Sequence, residues 1–174
     1  MRTLFLNGTV GAGKSTVAGV VGAVLRESGI PHAVIDLDAL RNAWPAPDDD
    51  PFNSALELRN LAAVVANYRQ VGVTHLVLAG VIETLDGRAG YEHVLGEELT
   101  VCRLDVDLAL VRRRLAGRHA LESSSLSWHL DRSGELQAIL ESAAVEDSVV
   151  DVTALSVEDA ATAVLRAASW PTGS

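Results

Sequence analysis

Cysteine is almost missing from this chain. Cys102 stands alone among 174 residues, which excludes a disulfide framework or a cysteine-based zinc site within one chain. It lies in the apolar run Leu99-Thr100-Val101-Cys102, a pattern that predicts a buried strand thiol. Aromatic residues are scarce, at 4%, and the apolar half is mostly Ala, Val and Leu. That composition suits strands and helices packed in layers and excludes a disordered chain. Basic residues are outnumbered, 14 Lys and Arg against 23 Asp and Glu, for a net charge of −9. An acidic surface repels phosphodiester backbones, so no nucleic-acid partner is expected. No apolar run approaches the roughly 18 residues that span a bilayer. Residues 1–7 begin directly on a strand pattern with no cleavable signal. A soluble, cytoplasmic protein with no membrane partner is the expectation.

What is present is an alternation of short apolar runs and helical patterns. Strands are predicted at Thr3–Leu6, His32–Ile35, His75–Ala79, Leu99–Leu104 and Ser148–Val152. Helices are predicted from Lys14 to about Glu27, Ser54 to Gln70, Tyr91 to Leu95, Leu108 to Arg118, Ser127 to Ala144, and Val157 to Ala168. The first ends at Ser28-Gly29-Ile30-Pro31, because Gly suits a helix C-terminus and Pro cannot continue the helix. In the second, Leu58, Leu61, Ala62, Val65 and Ala66 share one face. Ser156 is the expected N-cap of the last, with Asp159 three residues on. Alternating strands and helices imply a parallel sheet covered on both faces. With no repeat and no linker, one domain over 1–174 is expected.

Gly8-Thr9-Val10-Gly11-Ala12-Gly13-Lys14-Ser15 satisfies G-x-x-x-x-G-K-[ST] at every fixed position, between an apolar strand and an amphipathic helix. Gly8 and Gly13 let the backbone approach phosphates without a Cβ in the way. The loop amides converge at a helix N-terminus, where the dipole adds partial positive charge. Lys14 then reaches the β- and γ-phosphates and the Ser15 hydroxyl ligates Mg²⁺. The expected nucleotide site is Gly8 to Thr16.

The loop alone does not give the reaction. The strand His75–Ala79 runs into Gly80-Val81-Ile82 with no acid at its tip, and no N-K-x-D guanine-reading motif occurs, which disfavours a GTPase or transport-type ATPase. Carboxylates instead end strand two, in Asp36-Leu37-Asp38, with Arg41 three residues on. Ligands bind at that edge of an α/β sheet. Carboxylates at i and i+2 of an extended segment point the same way. They are suited to holding Mg²⁺, to accepting a proton from a substrate hydroxyl, or to both, and Lys14 or Arg41 would keep them ionised. Asp38 is alternatively the N-cap of a short helix at Ala39.

These residues resemble the small P-loop kinases that phosphorylate hydroxyl-bearing metabolites: adenylylsulphate kinase, shikimate and gluconate kinases, and chloramphenicol phosphotransferase. Ile35 to Arg41 resembles the strand-two segment of adenylylsulphate kinase, an acidic D-x-D followed by Arg. Leu58-Arg59-Asn60-Leu61-Ala62-Ala63-Val64 resembles the helix with which that family presents Arg and Asn to its acceptor. The similarity covers roughly the first half of the chain. It implies a three-layer P-loop NTPase fold with a five-stranded parallel sheet in the order 2-3-1-4-5. It also implies γ-phosphoryl transfer from ATP, with Mg²⁺, to a hydroxyl of a small metabolite or antibiotic-like acceptor. Asp36 is then the expected base, and Asp36, Asp38, Arg41 and Arg59 the acceptor residues. Asn60 stands where the family has a second Arg, and no basic, aromatic lid is found, so adenylylsulphate is not the expected acceptor.

The second half offers less. Arg112-Arg113-Arg114 and Arg118 are the densest positive cluster, and a lid over ATP is expected at about 112–130. Arg114 and Arg118, one turn apart, are its candidates for stacking on the base and neutralising the transferring phosphoryl group. Ser123 to Ser127 would be its flexible hinge. Trp128 and His129 are weaker candidates there. Thr153, after strand five, is a base-site candidate. Glu83 is an alternative magnesium-organising acid, on the same edge as Arg88. Asp48-Asp49-Asp50 reads as a solvated loop or a contact for a cationic acceptor. The rival functions are a nucleotide-dependent switch that lacks a small-molecule acceptor and a nucleotide kinase.

Overall fold

The strands are short and apolar, and the chain buries the central ones on both faces while the two edge strands keep exposed positions. The computed structural model describes residues 1–118 and 123–172, and the side chains of all of these except 114–118 and 123–131. The order of elements is β1 (Arg2–Asn7), α1 (Lys14–Glu27), β2 (His32–Asp36), a 3₁₀ turn (Leu37–Leu40), α2 (Ser54–Gln70), β3 (His75–Ala79), α3 (Leu85–Leu95), β4 (Leu99–Asp105), α4 (Leu108–Arg118), α5 (Ser123–Ala143), β5 (Ser148–Asp151) and α6 (Val157–Ala167). The five strands form one parallel sheet in the order β2-β3-β1-β4-β5, the fold expected from the sequence.

Side chains alternate across the sheet with period two. Leu4, Leu6, Val77, Ala79, Cys102 and Leu104 face a layer made by α1 and α6. Phe5, Ile35, Leu76, Leu78 and Val101 face Leu61 and Val65 of α2 and Tyr91 and Leu95 of α3. Cys102 is fully buried, and burial pushes its thiol pKa up. Among the described residues no helix is long and apolar enough to cross a membrane.

Three local expectations are corrected. The helix expected at Tyr91 to Leu95 begins a turn and a half earlier, because Thr84 caps it by accepting a hydrogen bond from the Gly87 N–H at 3.0 Å. The stretch Ser123 to Ser127, expected as a hinge loop, is already helical as the start of α5. The cap of the turn after β2 is Asp36 and not Asp38: the Asp38 N–H donates to Asp36 Oδ1 at 3.1 Å. The expected strands and the Ser156 cap are found; Ser156 accepts from the Asp159 N–H at 3.0 Å.

The sheet register brings the important edge together. Asp36 is registered with Ala79, and Ala79 with Leu6, two residues before Gly8. Asn7, fully buried, ties these ends. Its Oδ1 accepts from the Gly8 and Ile82 N–H groups at 2.9 and 3.1 Å, and its Nδ2 donates to Ile82 O at 3.0 Å. One amide thereby fixes the start of the glycine loop against the segment leaving β3.

Candidate active site

The glycine loop closes through three positive φ values, at Gly8 (148°), Gly11 (80°) and Gly13 (98°). Gly13 is the N-cap residue of α1, which has neither a side-chain capping bond nor an acidic residue in its first turn. The helix thus offers its first N–H groups and the positive end of its dipole to an anion rather than to its own side chains. Lys14 folds back over the loop, donating to Gly8 O at 2.8 Å and Thr9 O at 3.0 Å. Burial pulls the Lys14 ammonium down to about 8, against Asp38 and Asp36, which hold it up. Thr9 is a buried member of the loop; its hydroxyl donates to Ser133 O at 2.6 Å and fastens α5 to the loop.

Opposite the loop, the Ser15 hydroxyl donates to Asp36 Oδ2 at 2.6 Å. Two residues on, Asp38 Oδ1 accepts from Arg41 Nη2 at 2.5 Å and from Arg41 Nε at 3.0 Å. Arg41 also lies 3.2 Å from Glu57 Oε2. Glu57 is only 2% exposed, and the Tyr91 hydroxyl donates to its Oε1. Burial raises the Glu57 carboxyl pKa, opposed by the bond from Tyr91 and the charge of Arg41. Burial, with Glu57 beside it, likewise raises the Tyr91 hydroxyl pKa. The chain Asp38–Arg41–Glu57–Tyr91 therefore runs from the loop edge to the packed face of α3.

A third wall comes from α5. Arg132 pairs with Glu83 at 2.5 Å and with Glu135 at 3.0 Å, and its guanidinium lies 5.9 Å from the centre of the Phe52 ring. These walls enclose a cavity of about 640 Å³, lined by loop residues Val10 to Thr16 except Ala12, by Asp36, Asp38, Arg41, Glu57, Glu83, Tyr91 and Arg132, and by apolar Phe52, Leu58, Ile82 and Leu136.

The fold thus gathers the loop, Asp36, Asp38, Arg41 and Glu83 around one cavity, and leaves other candidates outside it. Arg59 is exposed on α2 and does not line the cavity; its neighbour Asn60 donates to Leu40 O at 2.7 Å and holds the 3₁₀ turn. Thr153 is exposed, and its hydroxyl accepts from the Asp107 N–H at 3.0 Å. Arg88 is a brace, bonded to Glu92, Asp147 and the Val145 and Leu99 carbonyls. Asp50 accepts from the Ser54 and Ala55 N–H groups at 2.8 and 2.9 Å and caps α2. Arg112 and Arg113 are exposed. The side chains of Arg114, Arg118, Trp128 and His129 lie outside the described residues.

Glu57, Tyr91, Phe52 and Arg132 were missed by sequence reasoning. A signal existed for one of them: Glu57, Leu61 and Val65 are the buried residues of α2, spaced by four. A carboxylate on that apolar stripe needs a partner within the protein. Arg132 carries no such signal, since its place depends on how α5 returns across the sheet edge.

The residues present fit a nucleotide with its cation. The loop supplies anion-binding amides and one ammonium. The Ser15 hydroxyl and Asp36 carboxylate supply hard oxygen donors of the kind Mg²⁺ takes together with phosphate and water. No group of three or more His, Cys, Asp or Glu able to hold a metal occurs among the described residues, so a cation here would complete its shell with phosphate oxygens.

Comparison with known proteins agrees with this geometry. No curated protein matches the chain in sequence. Among solved structures, a gluconokinase from Sinorhizobium meliloti 1021 matches with 20% identity over 97% of this chain and 91% of its own, at a TM-score of 0.65. The tunicamycin resistance protein of Deinococcus radiodurans matches with 18% identity over 99% and 98%, at 0.68. The APS kinase of Mycobacterium tuberculosis, in complex with AMPPNP and APS, matches with 23% identity over 95% and 96%, at 0.63. At these identities the likeness is one of fold. The family described as adenylylsulphate kinase matches residues 1–114, a span that holds the glycine loop, Asp36, Asp38 and Arg41 as well as all of α2. With two thirds of its length matched, the chain belongs to the adenylylsulphate kinase family of P-loop kinases.

Proposed function

We propose that this protein transfers the γ-phosphoryl group of ATP to a hydroxyl of a small acceptor other than adenylylsulphate. The observation that carries the reading is the 2.6 Å contact between Ser15 Oγ and Asp36 Oδ2, which sets a carboxylate against the phosphate loop at the mouth of the acceptor cavity. The glycine loop and Lys14 hold the triphosphate. Ser15, with Asp36 beside it, would hold Mg²⁺, whose charge would help neutralise the phosphates.

The acceptor hydroxyl enters from the Arg41 side. Its oxygen forms a bond to the γ-phosphorus as the bond to the β–γ bridging oxygen breaks. ADP leaves, and the hydroxyl proton passes to Asp36. Lys14, in the loop that lines the cavity, meets the charge on the moving group. Phosphoryl transfer asks mainly for positioning and neutralisation. Family membership, the cavity and the D-x-D that ends β2 beside the phosphate loop all support this assignment over a switch that lacks an acceptor.

The test is Asp36→Asn, assayed with labelled ATP over a panel of alcohol metabolites, nucleosides and antibiotics. Wild type is expected to phosphorylate at least one member. The variant should lose about 10²–10⁴-fold in transfer while binding AMPPNP nearly as well. Transfer retained near the wild-type rate would remove Asp36 from the base role. Slow hydrolysis with no acceptor product from wild type would favour the switch.

A further inference from the structure

We infer that the acceptor carries no acidic group, and that it is an uncharged or amine-bearing alcohol that donates a hydrogen bond to Glu57 Oε2. The inference rests on the kinase reading and concerns the acceptor end of the same cavity.

Among the described residues, the cations lining the cavity are Lys14, Arg41 and Arg132. Lys14 belongs to the phosphate loop. Arg41 is held between Asp38 at 2.5 Å and Glu57 at 3.2 Å. Arg132 is held between Glu83 at 2.5 Å and Glu135 at 3.0 Å. Each guanidinium therefore meets two carboxylates before any ligand arrives. With Asp36 assigned to the cation beside Ser15, the acceptor end keeps Asp38, Glu57 and Glu83 against two guanidiniums. An acceptor carboxylate, sulphate or phosphate placed there would face uncompensated negative charge in a partly desolvated site, where like charges cost most. It would have to break a pre-formed ion pair to find a donor.

A second observation points to what is accepted instead. Glu57 Oε2 is buried 3.2 Å from Arg41 Nε, an ion-pair contact that makes no hydrogen bond, and it belongs to a side chain that lines the cavity. A buried carboxylate oxygen in that condition calls for a donor. A hydroxyl or an ammonium supplies one, whereas an ionised carboxylate, sulphate or phosphate group does not. Phe52, 54% exposed, and Leu58 and Ile82 leave an apolar wall beside these acids, so a ligand with a carbon face and donor groups on one edge is matched on both sides.

The experiment uses the full chain saturated with AMPPNP and Mg²⁺, so that the phosphate loop is filled before any second ligand is added. Calorimetry then compares matched pairs: adenosine with adenylylsulphate, glucitol with gluconate, and methyl shikimate with shikimate. A protein that fails to bind AMPPNP at this first step removes the kinase reading itself; the acceptor comparison is reached only when that step succeeds. The neutral member of at least one pair is expected to bind at least tenfold tighter than its anionic partner, with adenylylsulphate not detectably bound. Asp38→Asn, at an exposed site, removes one of the two carboxylates on Arg41. On protein already saturated with AMPPNP, it should raise affinity for adenylylsulphate or gluconate at least tenfold. Glu57→Gln should weaken the neutral ligands. Tighter binding of the anionic member by wild type, or anion affinity unchanged in Asp38→Asn, overturns the inference.

Discussion

Lys14→Met is expected to lower phosphoryl transfer by about 10²–10³-fold while leaving the nucleotide-free protein at least as stable as wild type. The two effects have one cause. Lys14 lies in the loop with its ammonium on the Gly8 and Thr9 carbonyls, and its pKa falls from 10.5 to about 8, mainly through burial. A lysine whose pKa is lower folded than unfolded binds fewer protons in the fold between those two values. Stability therefore rises with pH from about 8 towards 10.5, and below 8 the buried charge weighs against folding. Replacing it with an uncharged chain of similar length removes that cost at neutral pH. A melting temperature higher by about 2–4 °C, the size of a 1 kcal/mol gain in a chain of this length, is the expected reading. The difference between variant and wild type should shrink as the pH is raised through that window.

Nucleotide binding reverses the balance, because the phosphates favour the charged ammonium. At pH 8.5–9, wild type should take up a proton on binding AMPPNP with Mg²⁺. That uptake is measured as a dependence of the calorimetric enthalpy on the ionisation enthalpy of the buffer. The Met variant should show none of it. Lys14 is the only lysine in the chain, so no other lysine can supply the signal. A variant that melts below wild type at pH 7 would mean that the ammonium braces the empty loop, and the linkage argument would fall.

How far these features could be read in advance depends on the range of the interaction. The glycine loop and D-x-D are local patterns, so their chemistry is visible in a few consecutive residues, and the register of Asp36, Ala79 and Leu6 only had to bring them to one edge. The sheet order was legible for the same reason, since each strand is a compact apolar run between recognisable helices. Failures arose where a role depends on partners far along the chain. Arg88 follows β3 on the same edge as Glu83, yet Asp147, 59 residues away, takes both of its terminal nitrogens. Arg59 was expected at the acceptor through resemblance, but the face of α2 that reaches the cavity carries Glu57 and Leu58. Arg132 enters the site on α5, whose Ser133 carbonyl is bound by Thr9, 124 residues away. Side-chain pairing over such distances is fixed by packing, which no local spacing encodes.

The same distinction between local and long-range constraint makes Gly8→Ala a damaging methyl group to add. Gly8 has φ of 148°, a conformation that costs an L-residue about 1–3 kcal/mol. A Cβ there would also lie 2.9 Å from the Leu104 carbonyl oxygen and 3.4 Å from Ala12 Cβ. Leu104 is inside β4, which is paired on both sides, so that oxygen cannot rotate away. Relief must come from the loop, and the loop is held at its start by the Asn7 amide. Overpacking of this kind adds about 1–3 kcal/mol, for a combined destabilisation of roughly 2–6 kcal/mol. Chemical denaturation should show it as a lower midpoint at unchanged slope, and AMPPNP binding should weaken by more than tenfold because the Gly8 carbonyl and its neighbours move. Gly19→Ala is the control. It sits in α1 with nothing within 4 Å of the added carbon, and should stabilise by about 0.5–1 kcal/mol through helix propensity with unchanged nucleotide affinity. If Gly8→Ala bound AMPPNP normally and unfolded at the wild-type midpoint, the close approach of the loop to β4 would not be what shapes the phosphate site.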